Sequence, residues 1–274
     1  MLAIPAREDI ASKRAPTQSA ALPTHGRPRQ NIAMPFSSPL PPCLSEPSEH
    51  WSLPLALPAT ALVSVDFDPA RLHAADFGAC GIAPIRGVAK RQTEYLAGRF
   101  CARAALLRLT GAPGIPAVGE DRAPQWPAGV VGSITHGAGR AAALVGHAGN
   151  WRGLGLDTET LLPAERALRL AEQILTPAEL QRLPGTPEAQ AWLTSLTFSL
   201  KESLFKALYP LVRRRFYFEH AELLDWSPAG QARLRLLEGL GPEWPAGSLL
   251  EGQFACEGER LLTLVAIPAE KPGR

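Results

Sequence analysis

The sequence predicts an α+β protein built as two similar halves. Two long helical periodicities, over residues 90–109 and 188–208, lie far apart in the chain. Each is accompanied by short β-rich runs with alternating apolar residues. No short internal repeat divides the chain further, and 274 residues suffice for one large domain or two small ones. The expected division is a disordered tail over residues 1–50, an N-terminal α+β half over 51–157 and a C-terminal α+β half over 158–274.

Residues 1–50 are rich in Pro, Ser, Ala and Arg and show no sustained periodicity; Pro35, Pro39, Pro41, Pro42 and Pro47 would each break a helix. Met34 lies inside this stretch and offers an alternative start. Order is expected to begin near Ala61, because residues 61–67 alternate like a strand. Residues 90–109 place Leu96, Phe100, Ala104 and Leu107 on one helical face, with Arg99 and Arg103 beside it, and Gly111, Pro113 and Gly114 follow as terminators. Residues 129–135 and 141–145 read as a hairpin with residues 136–139 as its turn. Residues 153–159 form a third strand, in which Leu154 and Leu156 alternate with Gly155 and Asp157.

Residues 161–175 are helical, and Thr176-Pro177 opens another helix. Residues 188–208 make the longest helix, with Leu193, Leu200, Leu204 and Leu208 as its buried stripe. Pro210 is expected to end it and to leave Arg213, Arg214 and Arg215 in a loop. Strand-like segments near 216–218, 232–237, 252–255 and 261–267 complete the second half.

Composition narrows the function classes. A formal charge of +2 argues against a general nucleic-acid binder, so any anion site must be built locally. Cys43, Cys80, Cys101 and Cys256 are far apart with no C-x-x-C pair, which points to reduced thiols in a cytoplasmic protein. No apolar run approaches the ~20 residues of a membrane span. No apolar segment follows the basic N-terminal residues, so a signal peptide is not supported.

Four constellations can carry chemistry. Asp157 and Glu159 project from the same side of a strand beside glycines, and paired hard oxygen donors suit Mg²⁺; the alternative is a solvated pair at a strand end. On the long helix Phe198, Glu202 and Lys206 form an i, i+4, i+8 row, with Lys201 just around the cylinder. Glu202 is a candidate ligand or base and Lys206 a candidate phosphate partner; the alternative is a surface salt bridge. Ser133 and Thr135 share a strand face next to His136, a grouping suited to phosphate or ribose, although such a histidine is also an ordinary turn residue. Arg86, Lys90, Arg91, Arg99 and Arg103 lie on and before the first helix and suit a polyanion or simply a solvated face. A metal-dependent nuclease using Asp157, Glu159 and Lys201 is the enzymatic rival, and the near-neutral charge speaks against its groove. A carrier-binding module with a decayed site is the non-enzymatic rival.

Taken together and in order, these segments resemble the phosphopantetheinyl transferase superfamily. The similarity is to its Sfp-like group, on the branch of enterobactin synthase component D and the broad-range carrier-protein synthases. It rests on residues 90–99, which run from Lys90 and Arg91 to Arg99, and on Trp126-Pro127 leading into Gly132, Ser133, Thr135 and His136. It rests further on Gly155, Asp157, Thr158 and Glu159, and on the run Phe198 to Lys206 that contains Lys201 and Glu202. The resemblance implies a pseudo-dimer of α+β halves with coenzyme A in the cleft between them. It implies that Asp157, Glu159 and Glu202 bind Mg²⁺, that Glu202 is the general base, and that Lys206 lies near the coenzyme A phosphates. His136 would lie near the 3′-phosphoadenosine. Ser133, Thr135 and Lys201 become further candidates for that cofactor site, and Arg91, Arg99 and Arg103 candidates for phosphate contacts. The implied reaction moves 4'-phosphopantetheine onto a serine of an apo acyl or peptidyl carrier protein and releases adenosine 3',5'-bisphosphate. It would be carried out by a cytoplasmic monomer serving fatty-acid, siderophore or related pathways. Thr158 stands where bulkier residues are common between the two acids, and Thr135 is the hydroxyl directly before the histidine.

Overall fold

The computed structural model describes residues 40–269. In the first half, β1 (Thr60–Asp66), α1 (Ala74–Ala79) and α2 (Ala89–Thr110) precede two short strands, β2 (Ala117–Val118) and β3 (Pro124–Gln125). The hairpin β4 (Val130–Gly137) and β5 (Arg140–His147) then completes an antiparallel sheet of order β1-β5-β4. In the second half, β6 (Trp151–Thr160), α3 (Ala164–Ile174), α4 (Pro177–Gln181) and α5 (Pro187–Val212) lead into β7 (Ala221–Ser227), β8 (Gln231–Leu236), β9 (Leu249–Glu257) and β10 (Arg260–Pro268). These strands form a five-stranded antiparallel sheet of order β6-β10-β9-β8-β7. The two-half α+β architecture expected from the sequence is therefore the architecture observed.

Each half buries one long helix on its sheet. Leu96, Phe100, Ala104 and Leu106 of α2 pack on Val63, Val65, Ala141, Ala143 and Val145. Leu107 is only half-buried; Leu106 takes its place in the core. In α5 the fully buried row is Leu196, Leu200, Leu204 and Leu208, an unbroken i, i+4 series, while Leu193 lies at its margin. The row packs on Leu234, Leu250, Phe254, Leu261 and Val265. A third apolar cluster, including Leu53, Leu62, Leu144, Leu154, Leu156 and Leu264, joins the two sheets.

The seam between the halves is unusual in its bonding. The edges of β4 and β6 lie side by side without a backbone ladder. Instead Ser133 Oγ accepts from Leu156 N at 2.9 Å and Thr135 Oγ1 accepts from Thr158 N at 3.0 Å. Two strand-edge amides that would otherwise be buried without partners are satisfied by hydroxyls.

Several boundary expectations are corrected. The tail does not extend to residue 50. Cys43 and Leu44 are buried, and Ser45 N and Ser48 N donate to Asp66 O and Ser64 O, so this stretch runs beside β1. Residues 1–39, with Met34, lie outside the described residues. The boundary at 157/158 falls inside β6, which pairs with β10 along its length; the sheets divide in the turn at residues 148–150. The hairpin turn is Ala138-Gly139, with φ of 52° and 74°, so His136 belongs to β4. Residues 216–218, expected as strand-like, are not a strand: 216 and 217 are irregular and Phe218–His220 is a short 3-10 helix. Pro210 does not end α5: it is exposed in the last turn, where a lost hydrogen bond is tolerated. The helix runs to Val212 and closes on Arg213 at φ 52°.

The buried strap at Cys43 and Leu44 yields a stability prediction. A chain starting at Leu40 and one starting at Trp51 should differ by about 2–4 kcal/mol, the burial of these two side chains. The shorter chain should melt roughly 10 °C lower. Equal melting temperatures in a thermal scan would show that the strap contributes nothing.

Candidate active site

The site forms where α5 crosses β6. Along β6, Gly153, Gly155, Asp157 and Glu159 share one face, and Leu154 and Leu156 point to the inter-sheet core. The two glycines let the helix backbone approach. A methyl group at Gly155 would run into the Ser203 carbonyl, and one at Gly153 into that of Ala207. This close crossing brings Ser199 and Lys206 of α5 against Asp157.

Asp157 is buried and its carboxylate is fully engaged. Oδ1 accepts from Lys206 Nζ at 2.7 Å and from Thr135 Oγ1 at 3.2 Å; Oδ2 accepts from Ser199 Oγ at 2.8 Å. Lys206 Nζ also donates to Leu156 O at 3.0 Å. Glu202, one turn before Lys206, is 7% exposed. Burial pushes its carboxyl above the ordinary glutamate range; Lys206 pulls it back, and Asp157 adds to the rise. Burial works against the Lys206 ammonium, but Asp157 and Glu202 outweigh it and hold the group above its usual range. Glu159 sits two residues beyond Asp157, with its side chain beside Gly137 of β4.

Three carboxylates and one ammonium leave the cleft with excess negative charge. That donor set fits a hard divalent cation with oxygen ligands. Among the described residues, no group of three His, Cys, Asp or Glu side chains stands gathered closely enough to hold a metal. The Lys206 ammonium is instead the cation seated at Asp157, so a metal there must share or displace it.

The remaining candidates separate. His136 faces α2, where its Nδ1 lies 3.7 Å from Glu94 Oε2. Ser133 points the other way and is occupied in the β4–β6 seam, so it is a structural link rather than an open cofactor contact. Thr135 is buried between Thr158 N and Asp157 and acts on the acid rather than on solvent. Lys201 does not face the cleft: its ammonium is buried on Glu179 Oε2 (2.7 Å), Ile174 O (2.9 Å) and Phe218 O (3.0 Å). Its assignment to the cofactor site is therefore corrected to a structural one.

Arg91 is exposed, Arg99 is buried 5.2 Å from the Tyr95 ring centroid, and Arg103 donates to Cys80 O at 2.6 Å. Helical rise puts Arg91 and Arg103 about 18 Å apart along α2, too far to hold one phosphate together.

Two contributors escaped the sequence reading. Glu94 lies beside His136, and Ser199 hydrogen-bonds Asp157. The available signal was the row of small side chains Ser199, Ser203 and Ala207, at i, i+4, i+8, matching the alternate glycines of β6.

Comparison with known proteins adds an independent line. A family model described as the 4'-phosphopantetheinyl transferase N-terminal domain matches residues 85–146, and one for the 4'-phosphopantetheinyl transferase superfamily matches residues 153–263. Enterobactin synthase component D of Escherichia coli O157:H7 is 40% identical over 167 residues, covering 58% of this chain and 74% of that protein. The 4'-phosphopantetheinyl transferase PptT of Mycobacterium tuberculosis is 34% identical over 191 residues, 66% of this chain and 82% of that one. The 4'-phosphopantetheinyl transferase Svp of Streptomyces mobaraensis is 38% identical over 189 residues, 67% and 75% respectively.

Proposed function

The chain belongs to the 4'-phosphopantetheinyl transferase superfamily, and from that premise we propose that the cleft at Asp157, Glu159, Glu202 and Lys206 carries the transfer of phosphopantetheine from coenzyme A to carrier proteins. The observation that carries this reading is the buried Asp157–Lys206 pair beside Glu202, a carboxyl that burial has made more basic. Asp157, Glu159 and Glu202 would hold Mg²⁺, which when bound supplies positive charge to the pyrophosphate oxygens.

Glu202 accepts the proton of the carrier serine at a carboxylate oxygen. The serine oxygen then forms a bond to the β-phosphorus as the bond to the bridging oxygen breaks. Adenosine 3',5'-bisphosphate leaves with that oxygen. Lys206 would donate to a phosphate oxygen and offset its developing charge. His136, beside Glu94, and the exposed Arg91 are the groups suited to the adenosine 3'-phosphate end; Arg99 and Arg103 support α2 beneath them.

The enterobactin synthase relatives favour a siderophore carrier as substrate, with acyl and peptidyl carriers of other pathways as the wider class. Among the described residues no helix is long and apolar enough to cross a membrane. We infer a cytoplasmic monomer. The first test is metal removal: chelation should abolish transfer to an apo carrier and added Mg²⁺ should restore it, whereas undiminished transfer after exhaustive chelation contradicts the reading.

Docking of an acidic carrier gives a kinetic prediction. Arg214 pairs with Glu238 and donates to Gly239 O, and Arg215 is exposed; Arg213 pairs with Asp121 and also caps α5. A double Arg214→Ala, Arg215→Ala variant spares the cap. It should raise KM for the carrier severalfold and flatten its salt dependence, with kcat and KM for coenzyme A unchanged. An unchanged salt slope would remove this loop as a docking surface.

A further inference from the structure

Behind Asp157 lies a chain of hydroxyls that the proposed reaction does not use. Ser199, Ser203 and Thr263 are each fully buried between α5 and β10. Ser203 Oγ lies 2.7 Å from Thr263 Oγ1, Thr263 Oγ1 lies 2.9 Å from Ser199 Oγ, and Ser199 Oγ donates to Asp157 Oδ2 at 2.8 Å. Two carbonyls lie within reach as alternative acceptors, Ser199 O at 2.9 Å from Thr263 Oγ1 and Thr263 O at 3.1 Å from Ser203 Oγ, and each hydroxyl has a single proton to place.

Proton counting fixes the sense of the chain at its end. An ionised carboxylate only accepts, so the single Ser199 proton points to Asp157. The Ser199 oxygen is then left as an acceptor facing Thr263. Such a chain, ending on a charged acceptor, is stronger and more directional than separate neutral bonds. Burying three hydroxyls under a helix is unfavourable relative to packing alanine or valine there, unless they are all satisfied. Mere packing does not require them.

The two oxygens of Asp157 are thereby given different surroundings. Oδ2 is fixed from behind by Ser199. Oδ1 faces Lys206, which is itself partly exposed toward the cleft. We propose that Ser199 is a positioning residue, held by Thr263 and Ser203, which fixes the Asp157 carboxylate so that Oδ1 is presented to the cation of the coenzyme A site. The proposal rests on the metal reading given above.

The test measures Mn²⁺ binding to the full-length protein by electron paramagnetic resonance, with coenzyme A present and without turnover. Partners that orient a metal ligand from behind typically change metal affinity by about 10–100-fold. Ser199→Ala should therefore weaken Mn²⁺ binding about 10-fold. Its metal-free melting temperature should stay within a few degrees of wild type, and its KM for the carrier at saturating metal should not change. Thr263→Val, which keeps shape and removes the middle hydroxyl, should shift Mn²⁺ affinity in the same direction by a smaller factor. If Ser199→Ala does not fold, Thr263→Val decides: unchanged affinity in that variant overturns the proposal. Asp157→Asn separates the two levels. Loss of Mn²⁺ binding in Asp157→Asn with wild-type affinity in Ser199→Ala overturns the positioning role alone. Wild-type affinity in Asp157→Asn overturns the metal reading and the proposal with it.

Discussion

Glu202→Gln should lower kcat for carrier modification by about 10²–10⁴-fold, the range over which a positioned general base acts. The substitution keeps the size of the side chain, so the packing of α5 on β6 should survive. What it removes is a proton acceptor. Burial has raised the Glu202 carboxyl above its ordinary range, which makes its ionised form a better base at neutral pH than a solvated glutamate. Glutamine cannot take the serine proton, and its amide is a poorer partner for a cation. At saturating Mg²⁺ the KM for the carrier should stay close to wild type, because the substitution leaves the proposed docking loop at Arg214 and Arg215 unaltered. A kcat within threefold of wild type, measured on correctly folded variant, would remove Glu202 from the reaction.

Lys201→Met should destabilise the fold by about 3–5 kcal/mol, the usual consequence of removing one partner of a buried pair. The lysine and Glu179 are 2% and 5% exposed, so solvent screens neither. Burial lowers the Lys201 pKa, but Glu179, Glu222 and Glu219 act to keep the charge in place. Methionine retains the stem and deletes the ammonium, which strands the carbonyls of Ile174 and Phe218 along with the carboxylate. Glu179 would keep its bonds from Thr176 N at 2.7 Å and Leu223 N at 2.6 Å, so the effect should lie toward the lower end. Thermal unfolding should show a fall of roughly 10 °C. Adding Glu179→Gln removes the stranded charge, although its single carbonyl oxygen can accept from only one of the two amides; the double variant should cost less than the sum of the two single ones, and that non-additivity is the signature of the pair. A melting temperature unchanged by Lys201→Met would show that the pair adds nothing.

The sequence was most legible where one periodicity had one cause. The apolar faces of α2 and α5 follow directly from burial against a sheet, and both helices fall close to their expected bounds. β7 was missed because a bulge between Leu223 and Asp225 interrupts its alternation. The strap at Cys43 and Leu44 was read as tail because two apolar residues among prolines carry no period; only their pairing with β1 reveals them.

At the site, spacing singled out Asp157, Glu202 and Lys206 but left a solvated pair and a surface salt bridge as alternatives, and only the family resemblance gave them roles; the fold buries Asp157 and Glu202 and seats Lys206 on Asp157. Lys201 was not readable, since its destination depends on Glu179, which is distant in sequence and brought close only by the α3–α4 turn. Ser133 misled for a related reason: a hydroxyl beside a glycine suits a phosphate, but here the nearest unsatisfied donor was an amide of the neighbouring sheet.

The location of the chemistry is tested most directly by intact-mass analysis of an apo carrier protein incubated with coenzyme A and Mg²⁺. Wild-type enzyme should add a single phosphopantetheine to the carrier. Asp157→Asn, shown to be folded by circular dichroism, should add none in the same time, and Glu202→Gln only a trace. Modification by folded Asp157→Asn at the wild-type rate would contradict the account and place the reaction elsewhere in the protein.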